Sequence, residues 1–269
     1  MVKETRCFQD LFRLCRSERR SRQLKTLAVI PARFGSTRLP GKPLIRIGGI
    51  PLVIRVFLQA SRCSSITDVI VATDDERIVQ VVEAEGGRTM MTPSDLPTGG
   101  DRVAFAAREF GPVDCVLNIQ GDDPLVGPDM IDPLVSMMAG RPEVSLGVLA
   151  KAIEDPSEER DPDIVKMVFD RRGKALYFSR SPIPFRRNPG VSMYKHIGPY
   201  AWRRDFLLDF CRWEQTPLER SESLEMLRVL ENGYEISCIE TLRDTIEIDS
   251  PGDVERLEKY FREYGDDLK

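Results

Sequence analysis

Short apolar runs alternate with stretches of helical periodicity along the first half of the chain. Continuous apolar residues over 27–30, 68–72 and 114–119 predict three strands that are buried on both faces. Apolar residues at helical spacing predict helices over 51–60, 74–85, 102–110 and 128–138. Strands and helices in alternation predict an α/β fold with a parallel, doubly wound sheet, in which ligands bind beyond the carboxyl ends of the strands.

The second half of the chain has a different pattern. Strands are predicted over 144–150, 166–169, 175–178 and 236–241, and helices over 204–213, 217–232 and 253–264. We interpret this as one mixed, mostly parallel sheet that continues from the first half. A β-rich insertion then covers the site or forms a contact between two copies.

Composition and charge exclude several classes of protein. The 269 residues carry a formal net charge of -4, which gives no support to nucleic acid as a partner. No run approaches the roughly 18 apolar residues that span a bilayer. The six cysteines include no CxxC pair, so free thiols in a reducing, cytoplasmic compartment are expected. Residues 1–25 are basic and lack the apolar segment of a secretory signal, so we expect an N-terminal extension before a single domain, 26–269.

The loop that follows the first predicted strand, PARFGSTRLPGK over 31–42, combines cations with glycines. Arg33, Arg38 and Lys42 supply fixed positive charge, and glycines such as Gly35 allow a close approach of backbone N–H groups. This mixture suits a triphosphate. It is not a Walker A loop, because proline follows Lys42.

Two acidic positions are candidate magnesium ligands. Asp122 follows a buried strand within Gly-Asp-Asp, and Mg²⁺ is usually held by one or two carboxylates together with substrate phosphates. Asp123 either assists or caps the next turn. Asp249 ends an alternating stretch, 246–249, that predicts a strand. By itself, an aspartate before Ser-Pro is usually a turn former or a helix cap. The need for a second metal-binding carboxylate is the reason to predict that Asp249 is a ligand.

Two further elements suit the substrates of such a site. The turn over 98–102, Thr-Gly-Gly-Asp-Arg, enters a helix and suits a base or ribose. The only histidine, His196, is more often a structural group than a catalytic base. Packing of His196 among Lys195, Tyr200 and Arg203 would suit an acidic sugar.

Taken together these blocks resemble the 3-deoxy-manno-octulosonate cytidylyltransferases (CMP-Kdo synthetases). The similarity runs from about residue 27 to 260 and includes PARFGSTRLPGKPL, NIQGDDPLV, KHIGPYAWRRDFL and IDSPGDVERL. The resemblance implies a Rossmann-like nucleotidyltransferase fold and a cytoplasmic homodimer. It also implies magnesium-dependent transfer of CMP from CTP to an octulosonic sugar acid, 3-deoxy-manno-octulosonate (Kdo), for lipopolysaccharide precursor synthesis.

The resemblance also implies roles for residues that match the family's motifs. The catalytic set comprises Arg33, Lys42, Asp122 and Asp249, of which Asp122 and Asp249 bind the metal. The remaining implied contacts are those to the nucleotide, through Ala32, Arg33, Gly35, Ser36, Lys42, Thr98, Arg102 and Asp122, and those to the sugar, through Gln120, His196, Tyr200 and Glu225.

Departures from the family's pattern cluster at the sugar end. Met226 stands where the family usually has glutamine, and a thioether offers a sugar only a weak acceptor. Met226 therefore favours an altered octulosonate acceptor, such as 8-amino-Kdo, as much as Kdo itself with a relaxed contact. The same chemistry on a sialic-type nonulosonate is a separate alternative. A non-catalytic nucleotide-binding regulator is the alternative of another class. The joint presence of Asp122, Asp249 and Lys42 argues against it.

Overall fold

The computed structural model describes residues 23–35, 39–188 and 190–268. Residues 1–22 of the expected extension lie outside the described residues, as do Ser36 and Arg38 of the basic loop. Within the described part of the chain, no helix combines the length and the apolar character needed to cross a bilayer. The described cysteines, Cys63, Cys115, Cys211 and Cys238, are free thiols.

A nine-stranded mixed sheet forms the centre of the fold. Its strands in chain order are β1 (Thr26–Ala32), β4 (Asp68–Thr73), β5 (Arg88–Met91), β6 (Cys115–Asn118), β7 (Leu146–Ala152), β8 (Lys166–Phe169), β9 (Ala175–Ser179), β10 (Tyr194–Arg203) and β11 (Ile236–Thr241), and a separate two-stranded ribbon joins β2 (Arg46–Ile47) to β3 (Ile50–Pro51). The main path runs β11-β7-β10-β6-β1-β4-β5. Strands β6, β1, β4 and β5 are parallel neighbours, whereas β10 is antiparallel to both β6 and β7. The predicted α/β fold with a mostly parallel mixed sheet is confirmed.

Helices cover both faces of this sheet. They are α1 (Leu52–Ser61), α2 (Glu76–Ala84), α3 (Gly99–Phe110), α4 (Pro128–Gly140), α5 (Arg204–Phe210), α6 (Pro217–Glu222), α7 (Glu225–Glu231) and α8 (Pro251–Tyr264), with a short 3-10 helix at Lys42–Leu44. Alternate side chains of β1 enter two separate cores. Ile30 packs into the core that contains residues of α1 and α4, and Val29 packs into the core that contains residues of α3 and α5. Burial on both faces explains the continuous apolar run of β1.

The predicted β-rich insertion is the hairpin of β8 and β9. Its first strand pairs with the start of β10, where Met167 lies opposite Tyr194 and Lys166 opposite Lys195. This pairing attaches the hairpin to the central sheet. Val165, which precedes β8, and Phe178 of β9 are thereby placed next to the carboxyl end of β6.

Three sequence predictions differ from the structure. The stretch 246–249 is not a strand: it is an extended segment whose Ile248 N–H donates to the Asp122 carbonyl at 2.9 Å. The single helix predicted over 217–232 is two helices, because Ser223 adopts a left-handed conformation with φ of 55°. Strand β10 was not predicted, since Gly198 and Pro199 interrupt its pattern where its register with β7 shifts.

Candidate active site

A cavity of about 480 Å³ opens at the carboxyl ends of β1 and β6. The two strands are parallel neighbours, so the loops that leave them meet at one edge of the sheet. This edge is where ligand binding is expected in an open α/β sheet. The cavity is lined by Pro31, Ala32, Arg33, Lys42, Pro43, Leu96, Pro97, Thr98, Gly99, Arg102, Gln120, Gly121, Asp122, Tyr200, Glu247 and Asp249.

Close approach of the backbone brings the two loops together. A Cβ atom on Gly121 would lie 2.7 Å from the Pro31 carbonyl oxygen, so only glycine fits at this point. On the other side, the hydrogen bond from Ile248 to the Asp122 carbonyl attaches the C-terminal segment. These two contacts place Asp122 between the basic loop and Asp249.

Lys42 lies between the two predicted metal ligands. Its Nζ atom is 2.6 Å from Asp122 Oδ2 and 3.0 Å from Asp249 Oδ1. Burial alone would lower the pKa of this ammonium group, but the two carboxylates outweigh burial and the pKa is raised. Lys42 is therefore a fixed cation, and the two carboxylates converge on a single position.

The donor set fits a magnesium ion that arrives with phosphate. Among the described residues, no group of three or more His, Cys, Asp or Glu side chains is placed to hold a metal. The pair Asp122 and Asp249 supplies two hard oxygen donors, and Mg²⁺ commonly takes its remaining ligands from water and substrate phosphates. The residues are thus suited to a metal–nucleotide complex rather than to a metal cage made by protein alone.

The other residues of the basic loop differ in their surroundings. Ala32 is buried at the end of β1, and Arg33 is an exposed cation in the cavity wall. Gly35 is exposed and lies outside the cavity lining, and a Cβ atom there would have no neighbour within 4 Å. Ser36, the remaining predicted nucleotide contact of this loop, lies in the stretch 36–38 that the structure does not describe.

The turn over 98–102 is an ordered helix start. Thr98 caps α3: its hydroxyl accepts from the Asp101 N–H at 3.0 Å, and Asp101 accepts from the Thr98 N–H at 3.1 Å. Arg102 lines the cavity but is buried. Its guanidinium group donates to Asp74 at 2.9 Å and also to Thr92. Arg102 thus stabilises the cavity wall, and the positive end of α3 faces the cavity through Thr98 and Gly99.

A second cavity of about 330 Å³ adjoins the first. The two share Gly99, Gln120 and Tyr200. All four residues predicted for the sugar lie in its wall, which consists of Gly99, Gly100, Asn118, Gln120, Val165, Phe178, His196, Tyr200, Ser223, Leu224, Glu225 and Met226. The residues predicted for the sugar, which come from three separate segments of the chain, therefore lie in one cavity.

His196 is a neutral group in this second cavity. Burial lowers its pKa to about 4, and its Nε2 atom is buried with no partner among the described residues. The ring packs against Phe178 and Tyr200, at centroid distances of 5.5 and 5.1 Å. The expected packing among Lys195 and Arg203 is wrong. Lys195 alternates to the opposite face of β10, and Arg203 donates to backbone carbonyl groups at the far end of the strand.

Tyr200 and Glu225 are also held in their neutral forms more strongly than usual. Burial, followed by the negative charges of Glu225 and Glu247, raises the pKa of Tyr200. Burial likewise raises the pKa of Glu225, against the opposing effect of Arg228. The Glu225 carboxylate lies beside the first turn of α3, since a Cβ atom on Gly100 would be 3.4 Å from its Oε2 atom.

Sequence reasoning missed Glu247, a third carboxylate in the first cavity. A signal was present: Ile246 and Ile248 are buried, and the alternation places Glu247 on the same side as Asp249.

Asp123 differs from Asp122 in its surroundings, because it does not line the first cavity. It is buried, and burial followed by the charge of Glu247 raises its pKa well above the usual range.

Comparison with known protein sequences finds that this chain is similar to cytidylyltransferases. A family profile described as cytidylyltransferase matches residues 27–238. The chain is 45% identical over 240 residues to a 3-deoxy-manno-octulosonate cytidylyltransferase from Solibacter usitatus, covering 88% of this chain and 95% of that protein. It is 44% identical over 242 residues to the enzyme of the same name from Geobacter sulfurreducens, covering 86% of this chain and 96% of that protein.

Solved structures agree with the sequence comparison. A structure of CMP:2-keto-3-deoxy-manno-octonic acid synthetase complexed with CTP superposes with a TM-score of 0.85 and 38% identity, covering 89% of this chain and 99% of that one. A 4-diphosphocytidyl-2C-methyl-D-erythritol synthase from Anaerococcus prevotii, at 15% identity, superposes with a TM-score of 0.60 over 88% of this chain and 96% of its own. The second likeness concerns the fold alone.

Proposed function

The chain belongs to the cytidylyltransferase family, and we propose that it transfers the cytidylyl group of CTP to the anomeric hydroxyl of Kdo. The sugar oxygen forms a bond to the α-phosphorus, the bond from that phosphorus to the bridging oxygen breaks, and pyrophosphate leaves. The hydroxyl proton is released. One observation carries the proposal: a charged cavity that fits a triphosphate adjoins a second cavity that fits a sugar acid, and the two share Gln120 and Tyr200.

The first cavity would bind the nucleotide through fixed charge. Arg33 and Lys42 would offset the charge of the departing pyrophosphate, and Ala32 at the end of β1 lines the same cavity beside the phosphates. Thr98 and the positive end of α3 face the nucleotide, with Arg102 fixing their position. Catalysis is then mainly positioning and electrostatic stabilisation.

Asp122 and Asp249 would hold Mg²⁺ together with the phosphates. Their convergence on Lys42 supports this assignment, because the same two carboxylates already satisfy one cation between them. When bound, the ion would draw negative charge from the phosphate oxygens.

The second cavity would bind Kdo through side chains that donate and accept hydrogen bonds. His196 offers one N–H or one lone pair, since its lowered pKa keeps the ring uncharged at pH 7. Gln120 and Tyr200 lie where the cavities meet and would orient the attacking hydroxyl. Glu225 would accept from sugar hydroxyl groups. The relatives are named for Kdo, so transfer to 8-amino-Kdo, transfer to a nonulosonate and a regulatory role are not needed as alternative functions.

A steady-state assay tests this function. Purified protein is incubated with Mg²⁺, Kdo and each of CTP, UTP, GTP and ATP, and pyrophosphate release is followed. We expect turnover with CTP and little with the purine nucleotides, and turnover that stops when EDTA removes the metal. Failure to release pyrophosphate with any nucleotide would overturn the proposal.

We also propose a cytoplasmic homodimer whose product serves lipopolysaccharide assembly. Exposed apolar side chains in and after the hairpin support a contact between two copies: Leu176, Phe185 and Val191 are 55%, 88% and 62% exposed. Light scattering coupled to size-exclusion chromatography measures the mass directly. A mass near the 30.5 kDa of one chain at micromolar concentration would contradict the dimer.

A further inference from the structure

The wall of the second cavity includes two segments that are distant along the chain. Phe178 belongs to β9 in the hairpin, whereas Ser223, Glu225 and Met226 belong to the corner between α6 and α7. The side chain that packs on His196 and the carboxylate proposed for the sugar therefore sit on different units. Their relative position determines the shape of the cavity.

One residue, Glu222, joins the two segments through three hydrogen bonds. Its Oε1 atom accepts from the Ser179 hydroxyl at 2.7 Å, and its Oε2 atom accepts from the Arg180 N–H at 2.9 Å. Its backbone carbonyl accepts from Arg180 Nε at 2.8 Å. Hydrogen bonds to a carboxylate are stronger than those between neutral groups, and Ser179 is buried, so this junction is partly protected from water.

The corner that Glu222 belongs to is internally rigid. Glu219 and Arg228 form a buried ion pair inside it, and the Ser223 N–H donates to the Glu219 carbonyl at 2.7 Å. Ser223 follows Glu222 directly and is the one non-glycine residue of the described chain with a positive φ. A rigid corner moves as a body. Loss of the Glu222 contacts would therefore shift Glu225 and Met226 together relative to Phe178.

We propose that Glu222 is a positioning residue for the sugar acceptor. Its side chain is not part of the wall of either cavity. It holds the α6–α7 corner against the hairpin so that Glu225 and His196 face the same sugar, and this inference rests on the proposed transfer to Kdo. The first cavity contains no residue of either segment, so the nucleotide site should be indifferent to Glu222.

Kinetics of matched variants test the proposal. In Glu222→Ala we expect the KM for Kdo to rise about tenfold, because both side-chain contacts that orient the wall are lost and only the backbone contact to Arg180 remains. The KM for CTP should stay within about twofold. Glu222→Gln keeps the shape but removes the charge, and should give an intermediate rise. Glu231→Ala is the control, because it removes a carboxylate from the far end of α7, where Glu231 accepts from the Leu218 N–H at 3.0 Å. This variant should leave both KM values unchanged.

A double-mutant cycle separates positioning from a general loss of stability. Ser179→Ala removes the partner on the hairpin, and its effect on the KM for Kdo should be much smaller when Glu222 is already alanine. If Glu222→Ala does not fold, Glu222→Gln and Ser179→Ala are judged by the same criterion. If the wild-type protein turns over Kdo, equal rises in both KM values, or no rise in the KM for Kdo, would overturn the positioning role of Glu222. A wild-type protein without turnover would overturn the proposed function itself.

Discussion

At the scale of single residues, the proposed chemistry depends on how two carboxylates share one cation. Asp122 lies near the middle of the chain and Asp249 near its C-terminal end, and the two meet at Lys42 Nζ. A neutral amide at either position would lose both the attraction to Lys42 and the charge that a metal requires. The carboxylate charges therefore matter more than the shapes of the side chains.

Asp122→Asn should lower kcat by at least about a hundredfold while the protein stays folded. The amide keeps the volume of the side chain, so circular dichroism and thermal unfolding should change little. Asp129→Asn provides a control, since it makes the same chemical change in an exposed ion pair with Arg243. Wild-type kcat in Asp122→Asn would rule out a metal-binding role for this residue.

His196 gives a second prediction at the residue scale, concerning pH. Its folded-state pKa of about 4 lies below the ordinary value of 6.5, so the unfolded chain binds the proton more readily. Stability is therefore retained above pH 6.5 and lost as the pH falls toward 4. We expect His196 to account for about 2 kcal/mol of the stability lost between pH 7 and pH 5.

Urea unfolding at pH 7, 6 and 5 measures this effect in wild type and His196→Gln. The chain has only one histidine, so the difference between the two proteins reports this group, and titrating carboxylates largely cancel. The stability gap should narrow or reverse as the pH falls. A constant gap across this range would show that His196 titrates normally in the folded protein.

At the scale of elements, a row of buried lysines crosses the sheet on the face opposite the sugar cavity. Lys151, Lys195 and Lys166 lie side by side on β7, β10 and β8, and each is buried. Residues 153–165, here called the strap, supply their partners: Glu154 pairs with Lys151, Glu158 with Lys195, and backbone carbonyl groups accept from Lys166. The row holds the strap against the sheet.

Lys195→Met should loosen the strap without disturbing the core. Lys195 Nζ contacts both Glu158, at 2.7 Å, and Asp244, at 2.9 Å. These carboxylates are partly exposed and can rehydrate, so we expect a modest loss of about 1–2 kcal/mol. Hydrogen exchange over the strap should accelerate while exchange in β1 does not. Lys174→Met is the control, because Lys174 forms a half-exposed pair with Glu235 and its loss should have a much smaller effect. Equal hydrogen-exchange rates over the strap in the two variants would contradict the role of the lysine row.

Local pattern predicted the elements whose environment is simple and missed those defined by tertiary contacts. Strands β1, β4 and β6 are buried on both faces, and their apolar runs were recognised within two residues of the observed ends. Strand β10 lies between β7 and β6 in the sheet, but it carries the polar residues Lys195 and His196 on opposite faces. Its sequence therefore lacks the apolar pattern of a central strand. The second cavity was predicted residue by residue only through the family resemblance, because no local signal places Glu225 next to Gly100.

At the scale of the whole molecule, the residues that line both cavities surround one central sheet. Both cavities are lined by residues from Pro31 onward, and β1 lies between β4 and β6 near the middle of the sheet. Two backbone N–H groups at the start of β1 donate to side chains: Lys25 N–H donates to Asp114 at 2.8 Å, and Thr26 N–H donates to Thr67 at 3.1 Å. The carbonyl groups of the same two residues accept further backbone hydrogen bonds. We therefore propose 26–269 as a single domain; Leu24 and Lys25, although part of the predicted extension 1–25, contact it.

Removal of residues 1–22 should leave kcat and both KM values within about twofold of the full chain, because every cavity residue and both anchoring hydrogen bonds remain. A longer deletion, of residues 1–26, serves as the contrast. It removes Leu24, which packs against the core, together with the Lys25 and Thr26 anchors of a central strand. This variant should unfold at a lower temperature, by several degrees, since about 1 kcal/mol shifts the midpoint by 2–4 °C in a chain of this size. Activity lost in the shorter deletion would instead place part of the catalytic unit within residues 1–22.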